Sequence, residues 1–259
     1  MRPPSPSLLT IESLAWVEYM SFLASGPLLR RAPKGDGHPV LVLPGFTASD
    51  RSTGPLRTAL RRQGYWVHGW RLGPNTGPHR HVVEGIERRL VDLRHRHGTT
   101  VSLLGWSLGG VYARELARAH PTAVRQVITL GSPFRFRGRD RGRGSALYDM
   151  VGPRDDSFLN TRDPEHGRPP LEVPATAVYT RSDGIVRWHA CIDSVGLQCE
   201  NIEVLGTHNG LGFNFAAVWA VADRLAQAEG EWKAFRPPLP LRHLYPRPAS
   251  WDPVKRRAS

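Results

Sequence analysis

The chain has 259 residues, 40% of them hydrophobic, with a formal net charge of +12 and two cysteines. That length and apolar content suit one large domain with a sizeable core, and two cysteines are too few for a disulfide scaffold or a zinc site. The charge alone would suggest nucleic acid or an anionic membrane as partner, but the basic residues are spread along the chain. Their densest run, "FRFRGRDRGRG" from Phe134 to Gly144, comes without a nucleic-acid motif, so no nucleic-acid partner is expected.

Residues 1–38 form an N-terminal helical extension. Its apolar positions recur at helical spacing, with Leu14, Trp16, Val17, Met20 and Leu23 on one face, while Glu12 and Glu18 interrupt any signal-peptide or membrane-spanning reading. The face either packs on the domain, the commoner outcome for an amphipathic helix, or makes a peripheral membrane contact by resting on lipid. With no export signal, a cytoplasmic location is the simplest expectation. Oligomeric state is not legible.

The domain proper is expected over residues 39–230, where short apolar runs alternate with amphipathic stretches. Strands are predicted at Pro39–Gly45, Tyr65–Trp70, Thr100–Gly105, Gln126–Pro133, Ala175–Thr180 and Asn201–Gly206. Helices are predicted at Pro55–Gln63, along the Val82, Ile86, Leu90 and Leu93 face, after Gly105 through Ala119, and from Phe213 to Ala226. This alternation, with apolar rather than alternating strands, predicts an α/β fold with a mostly parallel sheet of about six strands and helices on both faces. Ligands in such a sheet bind at the carboxyl ends of the strands. Residues 134–170 form a Gly-, Pro- and Arg-rich excursion, either a lid or a loop, and residues 231–259 a Pro-rich tail, extended over the surface or disordered. Cys191 and Cys199 are close enough in sequence for a single staple and equally suited to remaining buried thiols.

Gly105-Trp106-Ser107-Leu108-Gly109 lies where the third strand turns into a helix. A serine in such a turn takes strained backbone angles, and glycines on either side remove side chains that would collide. The following helix aims its free N–H groups at the serine oxygen and at any oxyanion beside it. A serine hydroxyl needs a base held by an acid. Asp183, just past the fifth strand, and His208, just past the sixth, complete the chain order Ser, Asp, His. Asp193 and Glu203 are the competing acids, but they lie past the strand end or within the next strand. The backbone N–H groups of Phe46 and Leu108 are the expected oxyanion hole. Trp70, Trp106, Phe134 and Trp188 either line an acyl pocket or belong to the core, and Asn75 and Thr76 either face the cleft or only form a turn.

On the stretches "LPGF", "GWSLGG", "SDGIV" and "GTHNGLG", the chain resembles the α/β-hydrolase fold superfamily, and within it bacterial lipases and esterases. The resemblance implies hydrolysis of a small-molecule ester or lipid by a Ser107, Asp183 and His208 triad, with no cofactor and no metal. The chain departs from it in carrying Pro44 where many members have His and in lacking an HGGG-type loop, and the leading antiparallel strands of larger members are not evident. Two rival readings use the same scaffold: an acyltransferase, which passes the acyl group to an alcohol or amine, and a non-catalytic binding protein.

Overall fold

The computed structural model describes residues 4–135, 170–194, 196 and 198–250. Six strands form one sheet: β1 (Pro39–Leu43), β2 (Trp66–Gly69), β3 (Val101–Trp106), β4 (Val124–Leu130), β5 (Ala175–Tyr179) and β6 (Cys199–Glu203), in the order β2-β1-β3-β4-β5-β6. Every pairing is parallel, so among the described residues the sheet is parallel throughout. The strands are short, and β1, β3 and β4 are buried along their whole length, as expected of a sheet covered on both faces, although β3 carries Ser102 and β4 carries Arg125, Gln126 and Thr129.

Alternation within the strands divides the core into two layers. Val40, Val42, Leu104 and Trp106 point into the layer shared with α4 (Gly54–Arg62) and α7 (Phe215–Leu225). Leu41, Leu43, Val101 and Leu103 point to the other, filled from α5 (Arg80–His97) and α6 (Leu108–Ala119). Helix α5 is capped by Gly98, in a left-handed conformation, with Arg94 and Arg96 in the last turn where cations suit the helix dipole.

Chain direction across the sheet reverses between β1 and β3, because β1 leads outward to β2 while β3 leads the other way to β4. A crevice opens at the carboxyl ends of strands at such a switch point. Register levels those ends: Leu43 pairs with Gly105, and Trp106 with Leu130. The loops after β1, β3 and β4 therefore start at one height.

The N-terminal segment comprises α1 (Pro6–Ile11), α2 (Ala15–Ala24) and α3 (Gly26–Leu29). The expectation that Leu14, Trp16, Val17, Met20 and Leu23 pack on the domain is overturned: they are between 50% and 68% exposed. The segment is held instead by Phe22 and Leu29 in the core and by the carboxylates of Glu12 and Glu18. Helical spacing identifies residues that share a face, but here the inward side is the one carrying the acids.

The described part of the tail is anchored. Phe235, Leu241, Leu244 and Tyr245 pack against the core, Tyr245 donates to the Ala216 carbonyl at 2.9 Å, and Ala249 N–H donates to the Tyr179 hydroxyl at 2.7 Å. Cys191 and Cys199 are buried and no disulfide joins them. The excursion read as a lid or loop lies, over residues 136–169, outside the described residues.

Candidate active site

Ser107 follows β3 directly and precedes the first residue of α6, at φ 52° and ψ −121°. A β-carbon in that region of backbone space is strained, and the turn is held in it by its surroundings. Ser107 N–H donates to the Leu130 carbonyl at 2.8 Å, extending the β3–β4 ladder into the turn. A β-carbon at Gly105 would lie 2.3 Å from the Gly109 carbonyl oxygen, and one at Gly109 would lie 2.2 Å from the Leu43 carbonyl oxygen. Both obstacles are backbone, so glycine is required at these positions for helix α6 to approach the sheet.

Asp183 lies beyond β5 and His208 beyond β6, as expected, and both are buried. His208 Nδ1 is 2.6 Å from Asp183 Oδ2. The other carboxylate oxygen, Oδ1, accepts from the N–H groups of Ile185 at 2.9 Å and Val186 at 2.6 Å. Burial pushes the His208 pKa down, but the charge and hydrogen bond of Asp183, with a smaller contribution from Glu12, outweigh it and raise the value above that of an ordinary histidine. The competing acids are used elsewhere. Asp193 meets Arg114 at 2.8 Å, and Glu203 accepts from the Tyr179 hydroxyl at 2.8 Å and meets Arg181 at 3.0 Å.

Ser107 and His208 line one cleft of about 560 Å³ with Phe46, Trp106, Ile185 and Phe213. No hydrogen bond joins the Ser107 hydroxyl to His208 among the described residues; bonds of this kind commonly tighten only when substrate is in place. Of the four aromatics with two readings, Trp106 lines the cleft. Trp70 is fully buried in the α5–α6 layer, Phe134 lies under the Arg114 guanidinium and Trp188 stacks on Tyr179.

The loop after β1 brings Phe46 to this cleft. Phe46 N–H donates to no acceptor among the described residues, and Leu108 N–H, at the first position of α6, has no acceptor within the helix. The loop's shape is fixed by Asn75, which is fully buried. Its Nδ2 donates to the Pro44 carbonyl at 2.9 Å, while its Oδ1 accepts from Gly77 N–H and the Tyr112 hydroxyl, both at 3.2 Å. Its backbone closes the latch, accepting from Thr47 N–H at 2.8 Å and donating to the Ala48 carbonyl at 2.7 Å. Asn75→Ala would leave a buried carbonyl unpaired. We expect a loss of about 2 kcal/mol or more in denaturant unfolding, and, from displacement of Phe46 N–H, a fall in kcat of up to about 100-fold with KM little changed.

Sequence reasoning missed the two acids beneath the loops that carry Asp183 and His208. Glu12, itself buried, accepts through Oε1 from Gly184 N–H at 2.9 Å and His208 N–H at 3.0 Å, and through Oε2 from Asn209 N–H at 2.9 Å. One side chain thus ties the Asp183 loop to the His208 loop. Glu18 accepts from Thr207 N–H at 3.0 Å and the Thr207 hydroxyl at 2.8 Å, and from Asn214 Nδ2 at 3.3 Å. Burial pushes its carboxyl pKa up, against the lowering effect of those bonds. The usable signal was the presence of two carboxylates in an otherwise apolar helical stretch.

The overall fold is matched in solved structures. A lipase B from Aspergillus fumigatus superposes with a TM-score of 0.56 at 17% identity, over 75% of this chain and 53% of that one. The chain has the α/β-hydrolase fold. A pyrethroid hydrolase, PytH, gives a TM-score of 0.53 at 20% identity over 76% and 99% of the two chains. An N-formylmaleamic acid deformylase from Pseudomonas putida gives 0.52 at 16% over 74% and 93%. The chain spans about half the length of the fungal lipase. In sequence, 50 residues are 44% identical to a pimeloyl-[acyl-carrier protein] methyl ester esterase of Aeromonas hydrophila, covering 19% of this chain and 20% of that one. No family model matches the chain.

Proposed function

We propose that the protein hydrolyses carboxylic esters through an acyl-enzyme on Ser107. The observation that carries this reading is the 2.6 Å contact of His208 Nδ1 with Asp183 Oδ2, in a ring that shares its cleft with the strained Ser107 turn. In this reading His208 Nε2 takes the Ser107 proton as Oγ attacks the ester carbonyl, and returns it to the departing alcohol. Phe46 and Leu108 N–H groups hold the developing oxyanion, aided by the amino end of α6. Water, activated by the same imidazole, then releases the acid. Side chains and backbone carry every step, and the acyl group lies against Phe46, Trp106, Ile185 and Phe213, which suits an apolar acid.

The test is turnover of p-nitrophenyl esters of rising acyl length, with covalent labelling by a fluorophosphonate. We expect turnover, release of free acid even when an alcohol acceptor is supplied, and one label per chain. Absence of both turnover and labelling would overturn the proposal; transfer to the alcohol in preference to water would move it to acyl transfer.

A further inference from the structure

The N-terminal segment has two unlike sides. Its only acids, Glu12 and Glu18, both turn inward and are occupied by the Asp183 and His208 loops. Its outer side carries the exposed Leu14, Trp16, Val17, Met20 and Leu23. Leu205, in the loop between β6 and His208, is 58% exposed, and its carbonyl accepts from the same Asn214 amide that Glu18 contacts, so it borders this face. Tyr19 packs edge-on against Phe213, a cleft-lining residue, at 5.4 Å between ring centroids. The apolar face therefore adjoins the candidate active site.

The charges at the end of the segment and along α4 have one sign. Arg30 and Arg31 are exposed where the segment ends, and α4 supplies Arg57, Arg61 and Arg62 with no acid. A groove of about 310 Å³ between the segment and α4 is lined mainly by apolar side chains, with Thr58, Gln63, Arg30 and Arg62, and by no carboxylate. Among the described residues no helix is long and apolar enough to cross a membrane. Apolar side chains edged by arginine, on a helix too short to span, match the interface of an anionic bilayer. A second copy of a chain with net charge +12 would bring like charges together.

We propose that this face seats the protein on anionic lipid surfaces, with the cleft beside the bilayer. The inference rests on the ester-hydrolase reading only for its substrate consequence, namely that esters dissolved in the bilayer are its substrates. Glu12 and Glu18 make the arrangement rigid, since the seated segment is bolted to both catalytic loops.

Co-sedimentation with vesicles tests the docking without using turnover. Wild-type protein and Ser107→Ala should both bind phosphatidylglycerol–phosphatidylcholine vesicles about tenfold or more tightly than phosphatidylcholine alone, and less tightly as salt rises. The triple variant Leu14→Ser, Trp16→Ser and Met20→Ser should weaken that binding by about tenfold or more while near-UV circular dichroism is unchanged. If the triple variant loses its fold, Arg30→Glu with Arg31→Glu should weaken binding by a similar factor. Absence of sedimentation with the anionic vesicles would overturn the proposal, as would binding that neither variant reduces. A wild-type dimer in ultracentrifugation that the triple variant dissolves would also overturn it, by assigning the face to a second copy. Binding by a protein with no ester turnover would leave the docking surface standing and remove the ester-hydrolase reading.

Discussion

Replacing Ser107 by alanine is expected to reduce ester turnover by about 10⁴-fold or more and to abolish fluorophosphonate labelling. The size of the effect follows from the site. With Oγ gone, the His208–Asp183 pair and the two backbone amides still stand in the cleft, but no atom is left to form the acyl-enzyme. Only polarisation of the carbonyl and general-base attack by water remain. The substitution keeps a β-carbon at φ 52°, so the strain of the turn is unchanged and the fold should persist, which circular dichroism checks. The hydroxyl makes no hydrogen bond to another described residue whose loss would destabilise the chain. Turnover undiminished in this variant would remove the proposed mechanism, whatever the behaviour of the other site residues.

The serine turn is legible because its information is local. Strand, glycine, serine, glycine and helix are consecutive, and the carbonyl that forbids a β-carbon at Gly105 is that of Gly109 in the same turn; only the Leu43 carbonyl, which forbids one at Gly109, comes from a distant strand. Asp183 and His208 are legible for a different reason: in a parallel sheet, residues just past strand ends reach one edge however far apart they are in the chain. Glu12 has no such signature. Its partners, Gly184, His208 and Asn209, are 172 to 197 residues away and are bound through backbone N–H groups, which leave no trace in residue identity. Asn75 sits between these cases. "GPNTGP" reads as a turn, and it is one, but the side chain also reaches 31 residues back to the Pro44 carbonyl, a long-range latch that local turn chemistry cannot reveal. The N-terminal face misleads because periodicity reports which residues lie together and is silent about which side faces protein. Glu12, Glu18 and Phe22 take the inner side, leaving the more apolar stripe outside.

Asp183→Asn is expected to lower kcat by about 10⁴-fold at neutral pH with little change in KM, through the proton it misplaces. Both N–H groups of Ile185 and Val186 donate to Oδ1, so the asparagine must keep its carbonyl oxygen there and turn its NH₂ toward His208 Nδ1. Two donors cannot face each other. The ring then adopts the tautomer with its proton on Nε2, presenting a donor to Ser107 where a base is needed. The pH profile separates this from a general loss of fold. In the wild type, His208 must be neutral to act as base, and its pKa is raised, so activity should climb with pH through a limb lying above the ordinary histidine value. Without the carboxylate charge, burial acts on the imidazolium unopposed by its main partner and pushes the pKa down, so the residual activity should have its acid limb at lower pH. Glu12→Gln, removing the more distant charge, should move the limb the same way by less, with a far smaller loss of kcat. A limb that stays in place in Asp183→Asn, measured on protein with native near-UV circular dichroism, would mean that His208 is not the titrating base.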